Sequence, residues 1–309
     1  MLTTDFVTGA PNWLDLGSPD PAAAAAFYGS VFSWEFESAG PEAGGYGFFQ
    51  KDGKTVAALG PLTEEGADSA WTVYFQTPDA DATAKAVEQG GGRVRVAPFD
   101  VMEAGRMACC TDPGGVDFSL WQPGDVKGLE KTSEAGSLCW AELHTPDPAQ
   151  AQDFYRTLFG WRSENMDMPG MTYTVLATAE GGDHQQASFG GVVPLQDETE
   201  PPRWVPYFDV ADVDEIVANT QGAGWHGDHA GGRGPGGRPH GLAGGPLRRR
   251  LRRDQAAAAA GVASWLPGGS LPVEPPRLGA SDEGLRRVRA ADVNPWSALR
   301  GRSCRTRFF

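Results

Sequence analysis

The chain has 309 residues, 40% of them hydrophobic, with 10 Trp, 15 Phe and 6 Tyr, enough for two domains that each bury a core. Its charge divides sharply: residues 1–224 hold 11 Lys and Arg against 34 Asp and Glu, whereas residues 225–309 hold 15 Arg, no Lys and 6 acids. So acidic a body argues against nucleic acid and anionic lipid as partners. With no basic, apolar leader and no run of about 18 apolar residues, the expectation is a cytoplasmic chain without a membrane span.

Residues 11–18 alternate around Trp13 and Asp15 as a short strand does, and Pro19-Asp20-Pro21 ends it with an acid at a helix start. The Ala-rich run through Phe27 and Tyr28 predicts that helix. Residues 31–36 predict a second strand, and residues 46–50 and 55–59 a hairpin around Asp52-Gly53. The order is βαβββ. A weaker copy follows: strand 71–75, helix 81–89, a turn at Gly90-Gly91-Gly92, then strands 93–97, 106–110 and 116–121.

At residue 138 the pattern starts again. Residues 138–161 align with 11–34 without gaps at a constant offset of 127, with 11 of 24 positions identical, among them Trp13/Trp140, Phe27-Tyr28/Phe154-Tyr155 and Trp34/Trp161. Strand 204–208 and helix 212–221 open a fourth module, whose three further strands have no counterpart in the sequence. From about Trp225 the chain becomes rich in Arg, Gly, Pro and Ala, a composition that a GC-rich gene gives when read out of frame. The expected layout is a first domain over 1–124, a linker over 125–135, a second, incomplete domain over 136–224, and a disordered or frame-shifted tail over 225–309.

Strand alternation groups the candidate site residues. Asp15 shares a face with Trp13, Thr72 with Tyr74, Ser119 with Trp121, and Glu142 with Trp140. Asp15 and Glu142 are the candidate catalytic groups, able to orient a ligand hydroxyl or amine or to act as a general base if burial raises their pKa. The alternative for each is a structural carboxylate bonded to backbone or to an arginine such as Arg106. Trp13, Asp15, Thr72, Tyr74, Ser119, Trp121, Trp140, Glu142 and Tyr207 together read as ligand-binding positions, because aromatic-rich concave surfaces suit apolar or aromatic small molecules. His144 near Glu142 and His184 beside Asp183 lack converging partners for a metal. Cys109-Cys110, Cys139 and Cys304 lack the spacing of a zinc site or a disulfide framework.

Four βαβββ modules in two pairs resemble the vicinal-oxygen-chelate superfamily of glyoxalases, bleomycin-resistance proteins and extradiol dioxygenases. The motifs that carry the resemblance are Pro-Asp-x-x-x-Ala-x-x-Phe-Tyr-x-x-x-Phe-x-Trp after the first strand of each pair, and Asp112-Pro113-Gly114-Gly115 before the last strand of the first pair. It covers about residues 11–224 and implies an α+β fold in which paired modules curl open sheets around a cavity, in two tandem domains. Within that superfamily the chain is similar to tandem actinobacterial proteins labelled glyoxalase-like or hydroxylase, some of them accessory to anthracycline biosynthesis.

The resemblance also locates the superfamily's metal ligands, a His seven residues before the acid that opens a module's helix and a Glu in the strand after the Asp-Pro-x-Gly turn. Here Trp13, Thr72 and Ser119 stand at those positions in the first half, and Trp140 and Val205 in the second. None is a usual donor to a divalent ion. The sequence therefore points to metal-free pockets that bind a small molecule in antibiotic biosynthesis or self-resistance, with no cofactor and with a protein partner in the pathway. The competing reading is a glyoxalase-like, dioxygenase-like or hydroxylase-like enzyme, either metal-free or with a divalent metal on a non-standard set such as Asp15, Glu142 or His144.

Overall fold

The computed structural model describes residues 2–62, 69–168, 170–195, 200–223 and 307–308. The first half runs β1 (Pro11–Ser18), α1 (Pro21–Phe32), β2 (Glu35–Ser38), β3 (Gly47–Lys51), β4 (Lys54–Pro61), β5 (Ala70–Gln76), α2 (Ala80–Gln89), β6 (Arg93–Val101), β7 (Gly105–Thr111) and β8 (Asp117–Pro123). Its eight strands form one sheet in the order β2-β3-β4-β1-β5-β8-β7-β6. The opening strands of the two modules, β1 and β5, pair antiparallel at the centre, and each has the last strand of its own module parallel on its outer side.

The second half repeats this with β9 (Leu138–Thr145), α3 (Pro148–Phe159), β10 (Arg162–Met168), β11 (Met171–Ala177), α4 (His184–Ala187), β12 (Ser188–Pro194), β13 (Arg203–Asp209), α5 (Val213–Gly222) and β14 (Arg307–Phe308). Its sheet order is β10-β11-β12-β9-β13-β14, with β9 and β13 antiparallel at the centre. The fold is α+β with open, curled sheets. Residues 224–306 lie outside the described residues, and with them the expectations about a truncated fourth module and a shifted reading frame. Cys304 lies there too. Among the described residues no helix is long and apolar enough to cross a membrane.

Aspartates, three of them in Pro-Asp pairs, act as helix caps. Asp20, Asp79, Asp147 and Asp212 each accept from backbone N–H groups two or three residues on, at 2.9–3.2 Å, an arrangement that contributes about 1 kcal/mol per helix. One strand prediction needs correction. Val31 and Phe32 belong to α1, which buries both against the core, and the helix ends where Ser33 adopts a left-handed φ of 56°; β2 begins only at Glu35. β-branched and aromatic residues signal burial as much as strand, and here the helix supplies the burial. The Asp52-Gly53 hairpin has both turn residues left-handed, at φ 55° and 69°, as a two-residue type I′ turn requires.

Each sheet uses its two faces differently. Leu14, Leu16, Phe75, Phe118 and Leu120 face the helices, and this side packs against the helix-bearing side of the other half, so both share one core. The contacts across it come in matched pairs. The Trp34 indole donates to the Gly136 carbonyl at 2.8 Å, and Trp161, 127 residues later, donates to the Gly9 carbonyl at 2.9 Å, also 127 residues before Gly136. Phe208 from β13 packs against Phe32 and Trp34 of the first half, with ring centroids 5.4 and 5.2 Å away. Phe75 from β5 packs likewise against Phe159 and Trp161 of the second, at 5.8 and 5.1 Å. The opposite faces, which carry Trp13 and Asp15 or Trp140 and Glu142, remain for a site.

Candidate functional site

β1 projects Trp13 and Asp15 from its outer face, and antiparallel β5 sets Tyr74 opposite Trp13 and Thr72 opposite Asp15. The Tyr74 hydroxyl donates to Asp15 Oδ2 at 2.7 Å. Tyr46, from the turn before β3, donates to the same oxygen at 3.3 Å, and the Trp13 indole donates to the Tyr46 hydroxyl at 3.2 Å. Burial holds both phenols above their ordinary pKa, with the Asp15 charge adding to it, so they stay protonated donors. Burial also pushes the half-buried Asp15 carboxyl up to about 6, against the hydrogen bonds of Tyr74, Tyr46 and Thr72, which favour its anion. The group opens into a cavity of about 370 Å³, which Gly17, Tyr46, Leu62 and Thr72 also line.

The second half builds the same cluster. Tyr173 and Tyr207 each donate to Glu142, at 2.8 Å, and the Trp140 indole donates to the Tyr173 hydroxyl at 3.0 Å. Here the hydroxyls are divided between Oε2 and Oε1, and His144 Nε2 lies 3.0 Å from Oε1. Burial alone would raise the Glu142 pKa. The hydrogen bond and charge of His144, together with the hydroxyls of Tyr207 and Tyr173, outweigh it and hold the carboxyl below the ordinary glutamate value. The other ring nitrogen of His144, Nδ1, is buried with no hydrogen-bond partner.

The structure thus gathers Trp13, Asp15, Thr72 and Tyr74 into one cluster and Trp140, Glu142 and Tyr207 into another. Ser119 is the cross-strand neighbour of Tyr74, buried on β8, while the Trp121 indole donates to the Val126 carbonyl at 3.0 Å, away from Asp15. Arg106 does not serve Asp15; it pairs with Asp81 and Asp100, each at 2.8 Å. His184 stands 3.9 Å from Glu164. Cys110 is buried and Cys109 half-buried, on opposite faces of β7.

Sequence reasoning missed Tyr46 and Tyr173, the two residues that close the clusters. The signal was present, since they stand at the same offset of 127 as Trp13/Trp140 and Asp15/Glu142. Their neighbourhoods are too dissimilar for a strand pattern to mark them.

The fit to the superfamily's metal is poor. The positions where ligands are expected present indole rings, a valine and two hydroxyls, and both nearby carboxylates already accept from tyrosines. Among the described residues no three His, Cys, Asp or Glu side chains converge to hold an ion.

Close packing fixes the second cluster's geometry. Gly191 of β12 lies opposite Glu142, where Ala58 lies opposite Asp15 in the first half. A methyl at Gly191 would overlap the Tyr173 hydroxyl, carried by a ring already packed into the core. Gly191→Ala is therefore expected to lower stability by about 1–3 kcal/mol and to shift Trp140 emission as Tyr173 moves off Glu142. An unchanged melting temperature with unchanged emission would show that the ring has room to move.

A model of the glyoxalase/bleomycin resistance protein/dioxygenase superfamily matches residues 10–120. The chain is 39% identical over 232 residues to the anthracycline biosynthesis protein DauV of Streptomyces sp. (strain C5), an alignment covering 69% of this chain and 82% of DauV. The same identity and coverage relate it to the anthracycline biosynthesis protein DnrV of Streptomyces peucetius. Among solved structures, 2,2',3-trihydroxybiphenyl 1,2-dioxygenase from Sphingomonas wittichii strain RW1 aligns with a TM-score of 0.50 at 15% identity, over 71% of this chain and 80% of the dioxygenase. That likeness concerns the fold. On the family model and the relatives, the chain belongs to the glyoxalase/bleomycin resistance protein/dioxygenase superfamily.

Proposed function

We propose that this protein is a cytoplasmic small-molecule binding protein whose aromatic, metal-free pockets hold an apolar or aromatic natural product during its biosynthesis or for self-protection. In this reading residues 1–124 and 136–224 are two pocket-bearing domains joined by 125–135, and a pathway protein receives or delivers the ligand. The observation that carries it is the replacement of metal donors by Trp13, Thr72 and Ser119, and by Trp140 and Val205, around carboxylates tied to tyrosine hydroxyls. The relatives named as anthracycline biosynthesis proteins support the choice of ligand class.

Two measurements on the full chain test the proposal. Titration with anthracyclines, followed by tryptophan fluorescence, is expected to saturate in the micromolar range, and elemental analysis of the purified protein to find far less than one equivalent of Fe, Mn, Ni or Zn. Stoichiometric metal together with no saturable binding would replace this reading with an enzymatic one. One observation favours that second reading: the Glu142–His144 pair, with a buried and unpartnered Nδ1, has the composition of a general acid–base dyad.

A further inference from the structure

The two carboxylate clusters differ by a whole functional group at one position. The offset that relates Asp15 to Glu142 relates Gly17 to His144. In the second half His144 fills the space beside the carboxylate and brings a nitrogen to 3.0 Å from it. In the first half Gly17 has no side chain, and the cavity opens at that point. Among the described residues the Leu62 side chain overhangs it, with the Ala70 carbonyl behind; an added Cβ on Gly17 would come 2.6 Å from Leu62 Cδ2 and 3.3 Å from its Cγ. Both tyrosine hydroxyls load one oxygen of Asp15, and among the described residues no cation pairs with it. The first cluster thus has the carboxylate, the two phenols and the indole of its twin, and in place of the nitrogen a cavity edged by the movable Leu62 side chain.

We infer that the cavity beside Asp15 takes a ligand that supplies its own protonatable nitrogen, an amine or an imidazole on an apolar body, with that nitrogen set over Gly17 where His144 sits beside Glu142. The inference rests on the binding reading above and names its ligand class. A charged nitrogen on a carboxylate makes a short, charge-assisted bond, and the half-buried site strengthens it by excluding part of the water. Pro61, Leu62, Ala70 and the Tyr46 ring supply the apolar wall for the body, and about 370 Å³ is within the range of small-ligand sites. The acidic body of residues 1–224 adds a long-range field that draws cations in.

The pH course follows from the groups facing Asp15. Among the described residues they are Tyr46, Tyr74 and, from β7, Cys109, and burial raises the pKa of all three, so they stay neutral through the physiological range. Among these groups only Asp15 changes charge there, gaining its negative charge as pH rises through about 6. An amine should therefore bind more tightly at pH about 7.5 than at pH about 5, and a neutral analogue equally at both.

The test compares aminomethyl-anthracene with hydroxymethyl-anthracene, matched in shape and different in charge, by calorimetric titration of the full chain. The amine is expected to bind about tenfold or more tightly at neutral pH, and the preference to fall below about twofold in Asp15→Asn and in Gly17→His, which restores the imidazole of the second half. Equal affinity for the two probes in the wild type, or a preference that survives Asp15→Asn, overturns the inference and leaves the binding reading standing. Saturable binding of neither probe overturns both. The wild-type comparison and its pH course need no variant, so the test holds even if Gly17→His, which must displace Leu62, does not fold.

Discussion

Trp161→Ala is expected to destabilise the protein by about 3–5 kcal/mol, and Trp34→Ala by a similar amount. Both indoles are nearly inaccessible, at 3% and 4% exposure, and each joins one half of the chain to the other. Trp161 stacks on Tyr155 at 4.8 Å, meets Phe75 of β5 at 5.1 Å, and holds the Gly9 carbonyl just ahead of β1. Truncation leaves a cavity in the shared core and a carbonyl without its donor. Trp161→Phe keeps most of the ring and loses the N–H, and should cost about 1 kcal/mol for the hydrogen bond beyond the smaller ring's packing loss. Because the two anchors are reciprocal, unfolding of the wild type should be a single transition, and either alanine variant should move the whole of it. Urea unfolding by circular dichroism and tryptophan emission checks this. Two resolved transitions, with only one moved by Trp161→Ala, would show that each half is stable alone and that the shared core is incidental.

How far the sequence could be read depended on the range of the interaction concerned. Helix starts were legible because capping is local: an aspartate, in α1 and α3 with a following proline, and a helical run lie within a few residues, and the caps of α1, α2, α3 and α5 form. The Asp52-Gly53 turn was legible for the same reason. The faces of β1 and β9 followed from strand alternation, so Asp15 and Glu142 could be named beside Trp13 and Trp140. What could not be read was anything that needed two distant segments at once. Tyr46 and Tyr173 approach the carboxylates from an adjoining turn and strand, and the order of strands in the sheet decides that approach. The interlocking of Trp34 with Gly136 and Trp161 with Gly9 spans 102 and 152 residues, and nothing local marks it. The end of α1 was misread because Val31 and Phe32 are buried by packing across the halves, which a local pattern records only as hydrophobic.

The duplicated cluster also shows how two residue changes, Asp15 to Glu142 and Gly17 to His144, turn a repeated site into two chemically different ones. Glutamate at 142 is one methylene longer than aspartate at 15, so it reaches both Tyr173 and Tyr207 with separate oxygens and still meets His144. Aspartate at 15 receives both phenols on one oxygen and faces an open cavity. The outcome is a carboxyl that gains a proton easily in the first half and one that resists protonation in the second. A ligand entering the first cavity below pH about 6 meets an acid able to donate, and above it an anion.

That asymmetry predicts opposite pH signatures for two conservative variants. The folded pKa of Asp15 lies above its value of 3.8 in an unfolded chain, so its stabilising contribution is complete below 3.8 and is lost as pH rises through about 6. Relative to wild type, Asp15→Asn should therefore gain stability between pH about 4 and about 7.5, by up to about 3 kcal/mol and by less to the extent that solvent in the cavity screens the charge. Glu142 behaves in the reverse sense: its folded pKa lies below 4.5, so its contribution is present above 4.5 and is lost as pH falls through the folded value. Glu142→Gln should accordingly be most destabilising at neutral pH, where it removes an anion held by two phenols and an imidazole, and its penalty should shrink on acidification. Urea unfolding of the wild type and both variants from pH about 3 to about 7.5 gives the two difference curves, which are expected to slope in opposite directions, that of Glu142→Gln below about 4.5 and that of Asp15→Asn above about 4. Parallel curves would mean that Asp15 and Glu142 sit in equivalent electrostatic surroundings, and that the open position at Gly17 makes no difference to the charge its neighbour carries.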